Sequence, residues 1–394
     1  MYKITIKEIL SRGVEEVFLF KHLADKLNQN KPLRVKFGID PTGPNIHLGR
    51  SVPLLKLKAL QSLGHKIVLV IGDFTAQIGD PSDKLNKRPL LTVDQVKKNL
   101  KNYKKQLGKI LDTNKVEWHF NSRWLSKLNL RELSRLADCF TVQQMLARRN
   151  FKDRYSQGQD ISLREFLYPL LQGYDSVMVK ADLEIGGFDQ LFNLQAGRVL
   201  QPLYGQPAQD ILTTQMLEGT DGRKMSTSWG NVINITDDAK EMYGRVMSIR
   251  DELLPKYLLL TTTLSMDEVA SLVNNLKDGQ NPKQVKQELA WQLVSFYHSN
   301  KKADQAAKDF DIIHRQKKIP DGIPTLAIPQ QTSWLVVDML FNFKLASSKS
   351  EARRLIVQKG LRIDNKIITD PRQVIKIQPG LLVQVGKRKF LSFK

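Results

Sequence analysis

The sequence is nearly without cysteine. Cys139 is the single cysteine among 394 residues, which excludes a disulfide within the chain and any zinc site built from several cysteines. Long apolar runs are also missing. The first residues, MYKITIKEILSRG, are charged throughout, and no later stretch is long and apolar enough to span a bilayer. We expect a cytoplasmic protein with no targeting segment and no contact with a membrane.

Acidic residues are scarce relative to basic ones. The chain has 61 Lys and Arg against 40 Asp and Glu, a formal net charge of +21. Such a surplus favours a polyanionic partner, and nucleic acid is the leading candidate. Proteins of a lysine-rich proteome are basic even without such a partner, so the net charge alone favours nucleic acid but does not establish it.

The arrangement of apolar residues predicts an α/β fold. Leu33 to Ile39 and Lys66 to Ile71 have the pattern of buried strands, and a helical spacing of apolar residues separates them. This βαβ unit predicts a Rossmann-like parallel sheet with helices on both faces. A further strand, Asp210 to Met216, follows a mainly helical insertion. The helices predicted there are Asp94 to Leu111, Leu130 to Cys139 and Ile161 to Met178.

Two loops have the residues of a phosphate site. Asp40 to Gly49 joins the first strand to a helix start, where free amide groups and the helix dipole favour a phosphate, and Thr42 and His47 can add donors. Far along the chain, GRKMSTS at 222–228 offers Lys224. Each loop alone is as typical of a helix cap or a solvated turn; their order and wide separation are what a split nucleotide-binding fold needs.

At this point the sequence resembles the class I aminoacyl-tRNA synthetases, whose two signatures are His-x-Gly-His and Lys-Met-Ser-Lys-Ser. Here they stand as HLGR and KMSTS, so that Arg50 replaces the second His and Thr227 the second Lys. Lys84 and Arg88 could partly replace that lysine. The resemblance implies catalytic roles for Thr42, His47 and Lys224. It implies ATP binding by Asp40, Gly49, Arg50, Gly187, Asp189, Lys224, Ser226, Thr227, Lys84 and Arg88.

One predicted helix carries a polar face. Tyr168, Gln172 and Asp175 stand at i, i+4 and i+7 among apolar neighbours, so they share one side of the helix. A pocket is one interpretation, and an ordinary solvated stripe is the other.

The residues YxxLQxYD and GGFDQ resemble the tyrosyl-tRNA synthetases in particular. The resemblance implies that Asp175 accepts the phenol proton, Asp189 binds the ATP ribose and Gln190 binds the carboxyl group. Lys36 stands where many relatives have a second phenol-binding Tyr. The tyrosine-binding set that the resemblance implies is Lys36, Gly38, Asp80, Tyr168, Gln172, Asp175 and Gln190.

The last sixty or so residues resemble the S4 RNA-binding module of bacterial tyrosyl-tRNA synthetases, through SKSEARRLIVQKGLRIDN and VGKRKF. Lys349 and Arg353 share a helix face that can follow phosphates, although a solvated basic face has the same pattern. The RNA-binding residues that the resemblance implies are Lys349, Arg353, Arg354, Lys359 and Arg362.

Four segments follow from these patterns. We expect a class I catalytic domain at 1–230, a helical anticodon-proximal domain at 231–318, a proline-rich linker at 319–331 and an S4 domain at 332–394.

The resemblance implies a tyrosine–tRNA ligase that uses ATP as a substrate, acts on L-tyrosine and tRNA(Tyr), and forms a homodimer. We expect the interface of the dimer around Thr141 to Leu171. Mg²⁺ is expected with ATP, held mainly by the phosphates, with neither a metal-ligand cluster nor a tightly bound cofactor.

Two alternatives stay open. A catalytically impaired paralogue that binds RNA is suggested by Arg50, Asp83, Phe188 and Thr227. A tryptophanyl enzyme is the other, and the pair Gln172 and Asp175 together with the S4 module argue against it.

Overall fold

A computed structural model describes residues 4–29, 31–81, 91–225, 229–315, 324–364, 366–386 and 389–394. The chain divides into two compact units. The first comprises Met1–Asp237 and Ser248–Leu293, and the second Asp238–Met247 and Val294–Lys394. The helical residues 231–318 are thus shared between the units, and the four-segment division stays a prediction.

The first unit is built on a six-stranded sheet. Its order is β1-β6-β5-β2-β3-β4, and β2 to β6 run parallel while β1 pairs with β6 antiparallel. The predicted parallel sheet is confirmed, with an antiparallel edge strand that the sequence did not indicate. The strands are β1 Val14–Phe18, β2 Arg34–Ile39, β3 Lys66–Ile71, β4 Val116–Phe120, β5 Leu183–Gly187 and β6 Asp210–Thr214.

Helices cover this sheet. The predicted helix Asp94 to Leu111 is in fact two helices, because Asn102 leaves the helical conformation with φ −114° and ψ 3°. The helices that begin in the first unit are α1 Ile6–Ser11, α2 Phe20–Asn28, α3 Leu48–Ser62, α4 Thr75–Ile78, α5 Val93–Leu100, α6 Tyr103–Leu107, α7 Ser122–Leu125, α8 Leu130–Ala137, α9 Val142–Leu146, α10 Arg149–Ser156, α11 Leu163–Val179, α12 Leu191–Leu200, α14 Leu254–Thr261, α15 Met266–Lys277 and α16 Pro282–Tyr297.

The strand order creates a crevice between β2 and β5. The chain passes from β2 to β3 on one side and returns to β5 on the other, so the connections leave in opposite directions at this point. In open parallel sheets, ligands bind beyond the carboxyl ends of such strands. The loop after β2 and the residues after β5 are therefore brought to one place.

The second unit has helices and two small sheets. One sheet has the order β10-β9-β12-β13-β7, and β8 pairs with β11. Val336, Leu340, Ile356, Val383 and Phe393 lie in its hydrophobic core. The strand β7 falls inside the predicted linker and pairs with β13. The elements are α13 Ala239–Met247, α17 Asn300–Arg315, α18 Val336–Asn342, α19 Lys349–Val357, β7 Thr325–Leu326, β8 Ser333–Leu335, β9 Leu361–Ile363, β10 Lys366–Ile368, β11 Val374–Lys376, β12 Leu382–Val385 and β13 Lys389–Phe393.

Candidate active site

A cavity of about 230 Å³ opens at the carboxyl ends of β2 and β5. Its walls come from the loop after β2, the inner face of α11, the end of β5 and the chain around residue 224. Most of the residues predicted to bind ATP or tyrosine line it together. These are Gly38, Asp40, Thr42, His47, Gly49, Arg50, Asp80, Tyr168, Gln172, Asp175, Gly187, Asp189, Gln190 and Lys224.

The loop after β2 is held in shape by side chains around it. His47 is the N-cap of α3, and its Nδ1 accepts a hydrogen bond from the Arg50 amide at 3.4 Å. The Arg50 guanidinium donates to Thr42 Oγ1 at 2.6 Å and to the Tyr103 hydroxyl at 3.3 Å. Because Thr42 accepts from Arg50, its own hydroxyl hydrogen is left to donate. Arg50, which departs from the family signature, thus orients a donor beside the cavity.

Gly49 lies where the two predicted nucleotide loops meet. A Cβ at Gly49 would stand 3.2 Å from the His47 ring and 3.2 Å from Met225 Sδ. Met225 follows Lys224 directly, and both line the cavity. Glycine therefore allows the start of α3 to pack closely against the second loop. The structure thus brings Lys224 beside the first loop, as the order and separation of the two loops predicted.

The polar face of α11 points into the cavity. Tyr168 is only 5% exposed and donates its hydroxyl hydrogen to Asp40 Oδ2 at 2.9 Å. Burial, followed by the charges of Asp40 and Asp80, holds the pKa of Tyr168 well above its ordinary value. Thr75 donates to the other oxygen, Asp40 Oδ1, at 2.7 Å. Gln172 and Asp175 are buried like Tyr168, so the solvated-stripe interpretation of this helix face is wrong.

Asp175 is a buried carboxyl group of the cavity wall. Its Oδ1 accepts from Trp124 Nε1 at 2.7 Å and its Oδ2 from Asn121 Nδ2 at 3.2 Å. Burial raises the pKa of Asp175 to about 7, while the Lys36 ammonium and these two hydrogen bonds act in the opposite direction. A carboxylate held in this way can accept a further hydrogen bond from a hydroxyl group.

A chain of amides and a buried arginine hold Asp80. Its Oδ2 accepts from Gln190 Nε2 at 2.8 Å, and its Oδ1 from Asn193 Nδ2 at 3.4 Å. Asn193 Oδ1 in turn accepts from Arg148 Nη2 at 3.0 Å. Burial lowers the pKa of Arg148 to about 10, which still leaves it charged at neutral pH. Asp80 thus lines the cavity with both carboxyl oxygens held in place.

Lys36 is placed differently from the other predicted tyrosine-binding residues. Its side chain is fully buried and lies behind the cavity wall. The ammonium donates to the Gln172 carbonyl at 2.9 Å and to Ser176 Oγ at 2.7 Å, and pairs with Glu184 Oε1 at 2.8 Å. The lysine therefore contacts the helix that carries Asp175 and does not line the cavity.

Four predicted site residues, Lys84, Arg88, Ser226 and Thr227, lie outside the described residues. The predicted RNA-binding residues belong to the second unit. Lys349, Arg353 and Arg354 are exposed on α19, although Lys349 also pairs with Asp338 at 2.7 Å. Lys359 and Arg362 are exposed beside the start of β9. These cations therefore face solvent on neighbouring elements.

Several residues of the site were not found from the sequence. Asn121 and Trp124 hold Asp175, Asn193 and Arg148 hold Asp80, and Glu184 pairs with Lys36. A signal existed for the first two, since they follow directly after a parallel strand whose end faces the cavity. That strand, β4, was not predicted. Asn193, Arg148 and Glu184 lie on elements whose packing against the site cannot be predicted from the spacing of nearby residues in the sequence.

The chain matches two family models. The model described as tRNA synthetases class I (W and Y) covers residues 28–315, and the S4 domain model covers residues 336–381. This chain belongs to the class I tRNA synthetases. Within the W and Y branch, both tryptophan and tyrosine are possible amino acids, so the relatives decide between them.

Curated relatives of this class I synthetase are named for tyrosine. A tyrosine–tRNA ligase of Carboxydothermus hydrogenoformans is 45% identical, over 98% of this chain and 96% of the relative. One of Thermotoga maritima is 43% identical, over 97% of this chain and 96% of the relative. Identity of this extent, over both units, does not favour the tryptophanyl alternative.

Solved structures show the same fold at lower identity. A C-terminally truncated mitochondrial tyrosyl-tRNA synthetase of Aspergillus nidulans has a TM-score of 0.63 at 22% identity, covering 79% of this chain and 93% of that one. A tyrosyl-tRNA synthetase of Archaeoglobus fulgidus complexed with L-tyrosine has a TM-score of 0.62 at 21% identity, covering 76% of this chain and 98% of that one. The α/β architecture with a class I sheet is thereby confirmed.

Proposed function

We propose that this synthetase is a tyrosine–tRNA ligase, which activates L-tyrosine with ATP to tyrosyl-adenylate and transfers the tyrosine to the 3′ end of tRNA(Tyr). One observation carries the proposal. The polar face of α11 and the loop of Asp40 to Gly49 line a single cavity, which supports an amino-acid site adjacent to a phosphate site.

The amino acid is held at both ends in this proposal. Asp175 accepts the phenol hydrogen at the closed end, while Asp80, Tyr168 and Gln172 receive the ammonium group. A phenylalanine would leave the buried Asp175 without its partner, and that penalty is the basis of discrimination. The handling of phenylalanine by tyrosyl-tRNA synthetases is the standard example of such a penalty.

Adenylate formation needs no protein nucleophile. The tyrosine carboxylate attacks the α-phosphorus of ATP, pyrophosphate leaves, and negative charge grows on the phosphoryl oxygens. Catalysis then consists of positioning and electrostatic stabilisation. Thr42, His47 and Lys224 are the donors that we assign to that charge, and Asp189 is assigned to the ribose.

We assign Mg²⁺ to the phosphates of ATP. Within the described ranges, the structure contains no group of three or more His, Cys, Asp and Glu side chains suited to a metal. The hydrogen-bond donors Thr42, His47 and Lys224 line the cavity beside its carboxylates, and they suit the phosphate oxygens themselves. When bound, the ion would neutralise part of the phosphate charge.

We assign tRNA binding partly to the S4 domain. The cations Arg353, Arg354, Lys359 and Arg362 are exposed there, and the whole chain has a net charge of +21. Contacts with phosphates fix the position of an RNA without reading its sequence, so the identity elements of tRNA(Tyr) must be read elsewhere. A substrate of translation also supports a cytoplasmic location. No described helix is long and apolar enough to cross a membrane.

We also propose a homodimer. Large apolar side chains are exposed on the helical insertion, with Leu130 at 79%, Tyr155 at 68% and Leu163 at 80%. A contiguous apolar patch left open to water marks an interaction surface, and we propose that these side chains belong to one. Leu163→Asp is expected to convert the dimer to a monomer in sedimentation analysis, whereas an unchanged mass would remove Leu163 from the interface.

The activation step is tested by exchange of pyrophosphate into ATP with the purified full chain. Tyrosine should support exchange, while phenylalanine and tryptophan should not. Exchange with tryptophan in place of tyrosine would overturn the choice of amino acid. No exchange with any amino acid, together with retained tRNA binding, would identify a catalytically impaired RNA-binding paralogue instead.

A further inference from the structure

Lys36 has no free donor to offer a substrate. An ammonium group has three N–H donors. Those of Lys36 have three acceptors, the Gln172 carbonyl, Ser176 Oγ and Glu184 Oε1, at 2.9, 2.7 and 2.8 Å. The side chain is fully buried. A contact with the phenol of a bound tyrosine would require one of these bonds to break.

Glu184, on β5, extends the same network under the helix. It is fully buried, and its Oε2 accepts from Ser176 Oγ at 3.0 Å and from Gln209 Nε2 at 2.6 Å. Gln172 Nε2 lies 3.3 Å from Glu184 Oε1. The ion pair thus binds α11 at residues 172 and 176, one turn apart, and Asp175 lies between them.

The pair also determines the charges around Asp175. The charged groups that act on Asp175 are Lys36 from β2 and Glu184 from β5. Asp175 in turn raises the pKa of Tyr168 on α11 itself. Asn121 and Trp124, from the other side, are neutral. The charge of Lys36 lowers the pKa of Asp175, and the charge of Glu184 raises it.

We propose that Lys36 is a positioning residue for tyrosine recognition: paired with Glu184, it places a positive charge behind Asp175 and fixes the turn of α11 that carries Gln172, without touching the amino acid. This inference rests on the proposed function.

The physical reason is the cost of buried carboxylates. Without Lys36, Asp175 and Glu184 would be two carboxyl groups in one dry site with no cation between them, and protonation of one would follow. A protonated Asp175 no longer offers a charged acceptor to the phenol. Preference for tyrosine over phenylalanine would then fall, because the buried group suffers less when phenylalanine leaves it unpaired.

The test uses the pH dependence of kcat/KM for tyrosine in pyrophosphate exchange, from about pH 6 to about pH 9. The variants are Lys36→Met, Glu184→Gln and the double variant, each in the full chain. Lys36→Met should move the acid limb up by roughly one pH unit, with KM for tyrosine raised about tenfold and KM for ATP unchanged. Glu184→Gln should move the limb down, and the double variant should lie near the wild type.

Opposite shifts distinguish electrostatic positioning from a merely structural role. If the acid limb moves in neither Lys36→Met nor Glu184→Gln, or moves in the same direction in both, the inference is overturned. Equal changes in KM for tyrosine and in KM for ATP would overturn it as well. If Lys36→Met does not fold, the downward shift in Glu184→Gln still decides. Absence of tyrosine-dependent exchange in the wild-type chain would refute the proposed function itself. Failure of the proposed function is therefore distinguishable from failure of the inference on Lys36.

Discussion

Two glycines near the cavity have opposite surroundings. A Cβ at Gly38 would meet nothing within 4 Å, whereas a Cβ at Gly72 would stand 1.8 Å from Asp40 Oδ1 and 2.3 Å from Thr75 Oγ1. Gly38 lies in a strand and lines the cavity. Its lack of a side chain leaves space for a ligand, while the lack of one at Gly72 is required by the fold.

Gly38→Ala and Gly72→Ala should therefore separate binding from stability. Gly38→Ala should leave the unfolding temperature unchanged or slightly higher, since alanine loses less backbone entropy than glycine, and should raise KM for tyrosine. Gly72→Ala should lower the unfolding temperature, because Asp40 must move. Calorimetry and pyrophosphate exchange on both variants measure these effects. A Gly38→Ala chain with normal KM would place the bound amino acid away from β2.

Asp175→Asn tests the carboxylate of the cavity. The amide can still accept from Trp124, but it has no charge to offer the phenol. Hydrogen bonds to charged groups contribute about 1.5–3 kcal/mol, so kcat/KM for tyrosine should fall on the order of 10- to 100-fold. KM for ATP should not change. Phenylalanine activation serves as the control, since it should not fall and should rise if the penalty for an unpaired buried carboxylate is relieved; an equal fall for both amino acids would mean that the substitution distorts the site.

At this scale, the pattern of α11 could be predicted and the partners of Asp175 could not. Tyr168, Gln172 and Asp175 share a helix face by spacing alone. Asn121 and Trp124 lie 54 and 51 residues earlier in the chain. Only the parallel pairing of β4 with β3 brings them to Asp175.

Among the elements, α11 is anchored at its first turn by a buried ion pair. Arg154 on α10 is 2% exposed and donates to Glu165 Oε2 at 2.6 Å and to Oε1 at 3.1 Å. Glu165 Oε1 also accepts from the Ser162 amide at 3.1 Å, which completes the capping box. The helix that presents Tyr168, Gln172 and Asp175 to the cavity therefore depends on this pair for its start.

Arg154→Met should destabilise the first unit strongly. It leaves the Glu165 charge buried without a partner, a change that typically costs about 3–5 kcal/mol. Urea unfolding followed by circular dichroism measures it. The double variant Arg154→Met with Glu165→Met is the matched control and should recover much of the loss, since no uncompensated charge remains. A double variant less stable than the single one would contradict this explanation.

Strands differed in how well they could be predicted. β2, β3 and β6 are largely buried and contain β-branched and apolar residues, and their positions were predicted. β4, with the sequence VEWHF, is mostly half-buried, and β5, with LEIGG, ends in glycines that weaken the pattern. Pairing with neighbours, rather than local composition, makes these segments strands.

On the scale of the whole molecule, the net charge indicated a polyanionic partner but not its place on the surface. Basic residues occur throughout both units, and most are exposed. The S4 domain could be found because its motif residues lie close together in the sequence.

Arg353→Ala with Lys359→Ala should weaken tRNA binding while leaving tyrosine-dependent exchange unchanged, because activation needs only the cavity of the first unit. Each lost phosphate contact should reduce the slope of log affinity against log salt by roughly 0.7 to 0.9. Lys21→Ala with Lys31→Ala removes the same charge from exposed positions outside the S4 domain and is the matched control. If both pairs weaken binding equally, the effect comes from net charge alone, and the S4 cations have no specific role in holding the RNA. A larger loss for the S4 pair, with a shallower salt slope, would assign those phosphates to α19 and the turn before β9.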